Sequence, residues 1–238
     1  MSVIGLICAI FLLAGGVQGV TGFGGALVAI PLLSLVMDVK QAVPLSILNG
    51  LVTTTTMAYT LRRQLDWRKI LPMLIGSLPG TLLGTLLLKQ ADTAQISRLL
   101  GLVLVAVSLF NLSFAPRPVN PSRFWALVSG FFSGVITATV GAGGPPVIIY
   151  ATLHDWSKDE IRATLTGFFV INGYVTAAFH TASGIITPHT LQLFALTCGC
   201  VLLGTMTGSR ISTRIPRRTY LRIVYLLLIS LGVMLLVR

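Results

Sequence analysis

Apolar residues fall into long runs separated by short polar gaps, and the runs come in two lengths. Residues 42–61, 70–88, a stretch ending near Phe114, 163–182, 190–209 and a last stretch reaching Val237 are each about as long as one bilayer crossing. At 1.5 Å per residue, roughly 20 residues span a hydrocarbon core of about 30 Å. Two runs are too long for that. Val3–Met37 holds 35 residues without a charge, and Phe124–Leu153 holds 30. As one helix the first would extend about 52 Å. Each contains a glycine-dense interruption, Gly15-Gly16-Val17-Gln18-Gly19-Val20-Thr21-Gly22-Phe23-Gly24-Gly25-Ala26 and Gly134-Val135-Ile136-Thr137-Ala138-Thr139-Val140-Gly141-Ala142-Gly143-Gly144-Pro145-Pro146. Glycine weakens a helix by about 1 kcal/mol relative to alanine. A break inside a bilayer frees peptide N–H and C=O groups, which must then face protein or a water-filled cavity.

The interruptions predict that each long run is two pieces, near 3–18 and 23–37 in the first case. At about 15 residues these are short for full crossings, so the expectation is half-helices or a re-entrant hairpin meeting at the glycines. The two halves of the chain also repeat. Gly22-Phe23-Gly24-Gly25 matches Gly141-Ala142-Gly143-Gly144, and Leu48-Asn49-Gly50-Leu51-Val52-Thr53 matches Ile171-Asn172-Gly173-Tyr174-Val175-Thr176. Gly80-Thr81 with Gly84-Thr85 matches Gly204-Thr205 with Gly208-Ser209, and Arg98 matches Arg222. The offsets are 119, 123, 124 and 124 residues, so the register holds. Residues 115–123 carry three prolines and form the expected joint between repeat 1 (1–114) and repeat 2 (124–238). Repeated halves with matched breaks point to a transporter. If each broken run counts as two passes, one side of the membrane collects 13 Lys and Arg residues and the other 4. That bias fits the positive-inside rule. Each half then has five passes, an odd number, so the halves are inverted. The predicted fold is an all-α polytopic membrane protein of two inverted-topology repeats, each with a broken first segment and three spanning helices.

Composition agrees. Of the 238 residues, 54% are hydrophobic and 10% are charged, against roughly 25% charged in soluble domains. The net charge of +11 sits in the gaps between apolar runs, where topology places it, and does not indicate nucleic-acid binding. Cys8, Cys198 and Cys200 lie in apolar segments and support neither disulfides nor a thiolate metal site. No basic region precedes the first apolar run, so it is expected to remain as a membrane helix rather than a cleaved signal.

All six acidic residues lie in or beside loops. No carboxylate is available mid-membrane for proton or sodium coupling. His154, His180 and His189 lack metal-ligand spacing, and His180, near a span end, is expected to be a packed histidine. Enzyme chemistry, a metal site and a cofactor are not expected. What remains mid-membrane is neutral. Gln18, Thr21, Asn49, Thr53, Thr137, Thr139, Asn172 and Thr176, with the break residues Gly22, Gly24, Gly25, Gly141, Gly143, Gly144 and Pro145, are the candidate substrate-binding residues. Helix N-termini carry partial positive charge and unpaired N–H donors, so such a site suits an oxyanion without any lysine or arginine.

The twin glycine motifs, the repeated Asn-Gly pair and the length resemble the TauE/SafE sulfite-exporter family, also called the 4-toluene sulfonate uptake permease family. The resemblance covers essentially the whole chain. It implies carriage of sulfite, organosulfonates or related sulfur-containing anions across the bacterial inner membrane, with the bilayer and the anion as partners and a homo-oligomer left open. Within the repeat, Ala26 stands where Pro145 stands in the second half, so the half-sites are expected to differ in shape. A non-transporting membrane scaffold or assembly factor and an anion channel are the alternatives. The charge bias makes a prediction: a reporter fused after Arg238 should be exposed outside the cytoplasm, and a cytoplasmic reporter would overturn the two-pass count.

Overall fold

A computed structural model describes residues 3–21, 24–113, 119–211 and 217–237. The described residues form ten helices: α1 (Val3–Thr21), α2 (Gly25–Leu33), α3 (Val39–Leu61), α4 (Trp67–Gln90), α5 (Thr93–Ser113), α6 (Arg123–Val140), α7 (Gly144–Thr152), α8 (Lys158–Ala182), α9 (Pro188–Ile211) and α10 (Arg217–Val237). The chain is a polytopic helical membrane protein. Helices α1, α4, α5, α6 and α9 are long and apolar enough to cross a bilayer. Three of the acidic residues expected in or beside loops stand at helix starts. Asp38 and Asp66 accept the N–H of Lys40 and Arg68, and Ser157 forms a reciprocal cap with Glu160. Residues 115–118 of the expected joint lie outside the described residues, and α6 already begins at Arg123, its last residue.

Each overlong run is indeed two helices, but not two equal ones. α1 has 19 residues and α2 has 9; α6 has 18 and α7 has 9. The expectation of two pieces of about 15 residues is therefore corrected to a full-length helix followed by a short one. The reason lies in what the earlier glycines do. Gly15 and Gly19 stay helical, and a Cβ on either would overlap a carbonyl oxygen of α9, that of Val201 or Thr205. They serve close approach rather than a break, as small residues do between membrane helices. The basic gap at 210–222 is shorter than expected, because α9 runs to Ile211 and α10 starts at Arg217. Residues 212–216 lie outside the described set.

The same device joins α4 to α6. A Cβ at Gly76 or Gly80 would overlap the carbonyl of Leu127 or Phe131, and one at Gly130 would overlap that of Met73. α1 pairs with α9 in the same manner, and α5 with α10. α3 and α8 touch each other, and each also packs on a member of the outer pairs, α3 on α9 and α8 on α4. Polarity runs inside out. Leu71, Ile75, Leu78, Leu82 and Leu86 are exposed on α4, while Ser77, Thr81 and Thr85 of the same helix are buried. That is the arrangement lipid selects, with apolar surface outward and hydroxyls satisfied inside.

The packing predicts opposite outcomes for two glycines. Gly130→Leu should cost well over the roughly 1–3 kcal/mol of ordinary overpacking, because backbone carbonyl cannot move aside. Gly199→Ala, with open space around its position, should be neutral or should stabilise by up to about 1 kcal/mol through helix propensity. Thermal unfolding of the purified variants in detergent reads both.

Candidate functional site

The two breaks meet. Where α1 gives way to α2 and α6 to α7, Gln18, Gly24, Gly25, Thr137, Gly141, Gly143, Gly144 and Asn172 line a cavity of about 120 Å3. This is far above the roughly 10–15 Å3 that one water requires. The turns are built on glycine for stated reasons. Gly24 caps α2 at φ 89°, and Gly141 ends α6 at φ 68°, both in the left-handed region. Gly143 has an ordinary φ, but a Cβ there would overlap Thr137 Oγ1 and the Ser133 carbonyl. Ser133 Oγ in turn donates to the Gly143 carbonyl, which fixes the second break against α6. Neither α2 nor α7 has a side-chain cap at its N-terminus, and residues of both N-termini line the cavity. Each helix start carries a fraction of a positive charge, about half an elementary charge in a long helix. Among the described residues no Asp, Glu, Lys, Arg or His lines the space, so its electrostatics come from backbone and neutral side-chain dipoles, the N-termini of α2 and α7 and the end of α6 at Gly141 among them.

The remaining candidates are placed differently. Asn49 lines an adjoining hollow of about 10 Å3 with Gln18, Gly25 and Ser46. Its Nδ2 donates to the Leu45 carbonyl and to Thr197 Oγ1, both at 3.0 Å, tying α3 to α9. Asn172 does two things. It lines the main cavity, accepts from Thr81 Oγ1 at 3.2 Å and donates to Thr137 Oγ1 at 3.4 Å, joining α8 to α4 and α6. Thr53, Thr139 and Thr176 are buried and bond backbone carbonyls, Thr139 reaching Gly84 across the α4–α6 contact. Pro145 is buried in the first turn of α7. None of these four lines the cavity. The side chain of Thr21 and all of Gly22 lie outside the described residues.

The cavity also takes in residues that the sequence reading passed over as ligands: Ser46, Gly50 and Thr54 on α3, and Phe169 and Gly173 on α8. The signal for them was helical spacing around the repeated Asn-Gly pairs. Residues 46, 50 and 54, like 169 and 173, are four apart and share a helix face. His180 is fully buried on α8, with Nε2 at 3.0 Å from the Ala138 carbonyl. A carbonyl only accepts, so Nε2 carries the proton and closes one of the open carbonyls at the end of α6, just before Gly141.

Comparison with known proteins agrees with this architecture. The family described as "Sulfite exporter TauE/SafE" matches residues 7–235, and the chain belongs to it. A protein of Cupriavidus necator (strain H16), named "Probable sulfite/organosulfonate exporter TauE", is 28% identical over 223 residues, covering 90% of this chain and 86% of that protein. The "Probable membrane transporter protein YunE" of Bacillus subtilis (strain 168) is 24% identical over 255 residues, covering 93% of each chain. No solved structure matches.

The two glycine turns should respond differently to substitution. At Gly24 the nearest atom to an added Cβ is Leu27 Cδ1, 3.8 Å away, so the cost of Gly24→Ala is conformational, about 1–2 kcal/mol. Asparagine, which tolerates the left-handed region, should recover part of it. Gly143→Ala should lose more, with no recovery by asparagine, because its obstacle is a backbone carbonyl. Thermal unfolding of the four variants distinguishes strain from overlap.

Proposed function

We propose, taking membership of the sulfite exporter TauE/SafE family of membrane transporters as the premise, that this protein is a secondary carrier. Its substrate is a small sulfur-containing anion, such as sulfite or an organosulfonate, moved out of the cell across the bacterial inner membrane. The observation that carries the proposal is the cavity itself. Two uncapped helix N-termini contribute to a space that no charged side chain among the described residues lines, an arrangement that favours an anion through backbone dipoles and N–H donors. The name of the Cupriavidus relative supports sulfite and organosulfonates as the class.

Alternating access is the expected mode. The pairing of helices supports it: α1 packs on α9 as α6 packs on α4, α3 on α9 as α8 on α4, and α5 and α10 on each other. Those pairings are what two inverted repeats, 1–114 and 124–238 joined by 115–123, would produce about a central axis. Rocking the α1–α9 pair with α3 against the α4–α6 pair with α8 would open the cavity first to one face and then to the other. The lining between them is apolar on α3 and α8 at Ile47, Leu51 and Phe169, and the hydrogen bond that Thr55 Oγ1 and the Tyr174 hydroxyl share across the two helices lies at exposed positions.

Among the described residues no carboxylate or histidine lines the cavity, so the charge that moves is the substrate's own. One elementary charge crossing 100 mV is worth about 2.3 kcal/mol, which favours export of a monovalent anion from a negative cytoplasm by roughly 50-fold. Sulfite or sulfonate flux in proteoliposomes, with voltage clamped by potassium and valinomycin at equal pH, should follow voltage and need no sodium. Flux indifferent to voltage but driven by an imposed pH gradient would overturn voltage-driven export.

A further inference from the structure

The cavity is not symmetric, and the asymmetry has one direction. Counting back three residues from the repeated Asn-Gly pairs, Ser46 on α3 corresponds to Phe169 on α8. Both line the cavity, so the first half offers a hydroxyl where the second offers a phenyl ring. The helix starts differ in the same sense. The first turn of α2 carries N–H groups at Gly25, Ala26, Leu27 and Val28, whereas Pro145 and Pro146 remove two donors from the first turn of α7.

Ser46 is also unusual among the described hydroxyls. Serine and threonine inside a helix ordinarily donate to the carbonyl three or four residues back. Thr53, Thr54, Thr56 and Thr60 of the same helix do so, as do Ser77 on α4 and Ser129 on α6. Ser46 does not. It is 2% exposed, and among the buried hydroxyls of the described residues its Oγ shares the lack of a hydrogen-bond partner only with that of Ser108 on α5, which does not line the cavity. A buried hydroxyl left unpaired is destabilising, and this one stands at the seam of the main cavity and the small hollow beside it. Its χ1 has three staggered positions available. An anion in the cavity would supply the acceptor that the helix does not.

We propose that Ser46 is an anion-coordinating residue and that the cavity holds its ligand in one orientation. The oxyanion head lies against Ser46 and the start of α2, and any carbon chain lies against Phe169. The chemical class selected is an amphipathic monoanion: a compact sulfur oxyanion bearing a short apolar group. This rests on the proposed function and adds the roles of two residues to it.

The test uses the full-length protein in detergent and a series of probes with one head and a growing tail: methane-, ethane- and propanesulfonate. Wild-type protein should bind the series more tightly as the tail lengthens. Ser46→Ala should weaken all three alike, by roughly tenfold or more, the range for a hydrogen bond to a charged group. Its ligand-free unfolding temperature should stay level or rise, because an unpaired hydroxyl has been removed. Ser46→Cys, close in volume but a weak donor, should show the same loss in binding whatever the alanine variant's folding. Phe169→Ala should reverse the gain with tail length while leaving methanesulfonate binding within a few-fold. A Ser46→Ala variant with a lowered unfolding temperature and unchanged binding would make Ser46 structural only and overturn the proposal. So would a loss that varies with tail length. Wild-type protein that binds neither these probes nor sulfite would overturn the substrate class of the proposed function together with this inference.

Discussion

A peptide group that leaves its helix inside hydrocarbon has no water to turn to. That constraint shapes the centre of this protein. Helices α1 and α6 end, and α2 and α7 begin, at positions where several backbone groups lose their helical partners. The fold answers by bringing the two breaks together and surrounding them with α3 and α8, helices that carry more polar residues than their neighbours. His180 bonds one open carbonyl of α6, at Ala138, and Ser133 bonds the carbonyl of Gly143. The uncapped N-termini of α2 and α7 are left at a cavity rather than at lipid. The same constraint thus protects the breaks and leaves a space between them.

Close helix contact makes such an arrangement sturdy. Burial of apolar surface gives little preference for one helix–helix contact over contact with lipid, so association depends on packing and polar contacts. Glycine supplies the packing where α4 meets α6 and α1 meets α9: each backbone lies where the other's Cβ would be. Thr139, reaching the Gly84 carbonyl, and Asn49, reaching Thr197, add hydrogen bonds between helices. A frame of this kind is rigid within each helix pair. Apolar contacts between α3 and α8, such as Leu51 beside Gly173, lack that interlocking of backbones, which suits them to movement.

Glycine therefore has two uses here that look alike in one dimension. Gly15 and Gly19 lie inside an intact helix and permit approach, while Gly24 and Gly141 take positive φ and turn the chain. Composition cannot separate these roles, because both need only the missing Cβ. The partner helix separates them: where a carbonyl of α9 lies against the position, the helix continues. This is why two pieces were legible in the first run but their unequal lengths were not. Matched asparagines raise the same difficulty. Asn49 and Asn172 occupy corresponding positions, yet Asn172 lines the main cavity and Asn49 faces a small hollow and α9.

By itself, the sequence determined the membrane class, the positions of most helices and the presence of two matched breaks. Those follow from local facts: the length of apolar runs against bilayer thickness, and the intolerance of helices for glycine clusters and prolines. It also pointed to polar residues that prove buried, Gln18, Asn49, Thr53, Thr139, Asn172 and Thr176, although Thr55, Thr56 and Thr207 of the same apolar runs are exposed. Only the tertiary structure decided which of them reach the cavity. Thr53, Thr139 and Thr176 spend their hydroxyls on backbone carbonyls, while Ser46, with no such partner, stands at the space between the breaks. That choice depends on rotation about a helix axis, where one residue's step is about 100°, and rotation is fixed by contacts with helices distant in the chain.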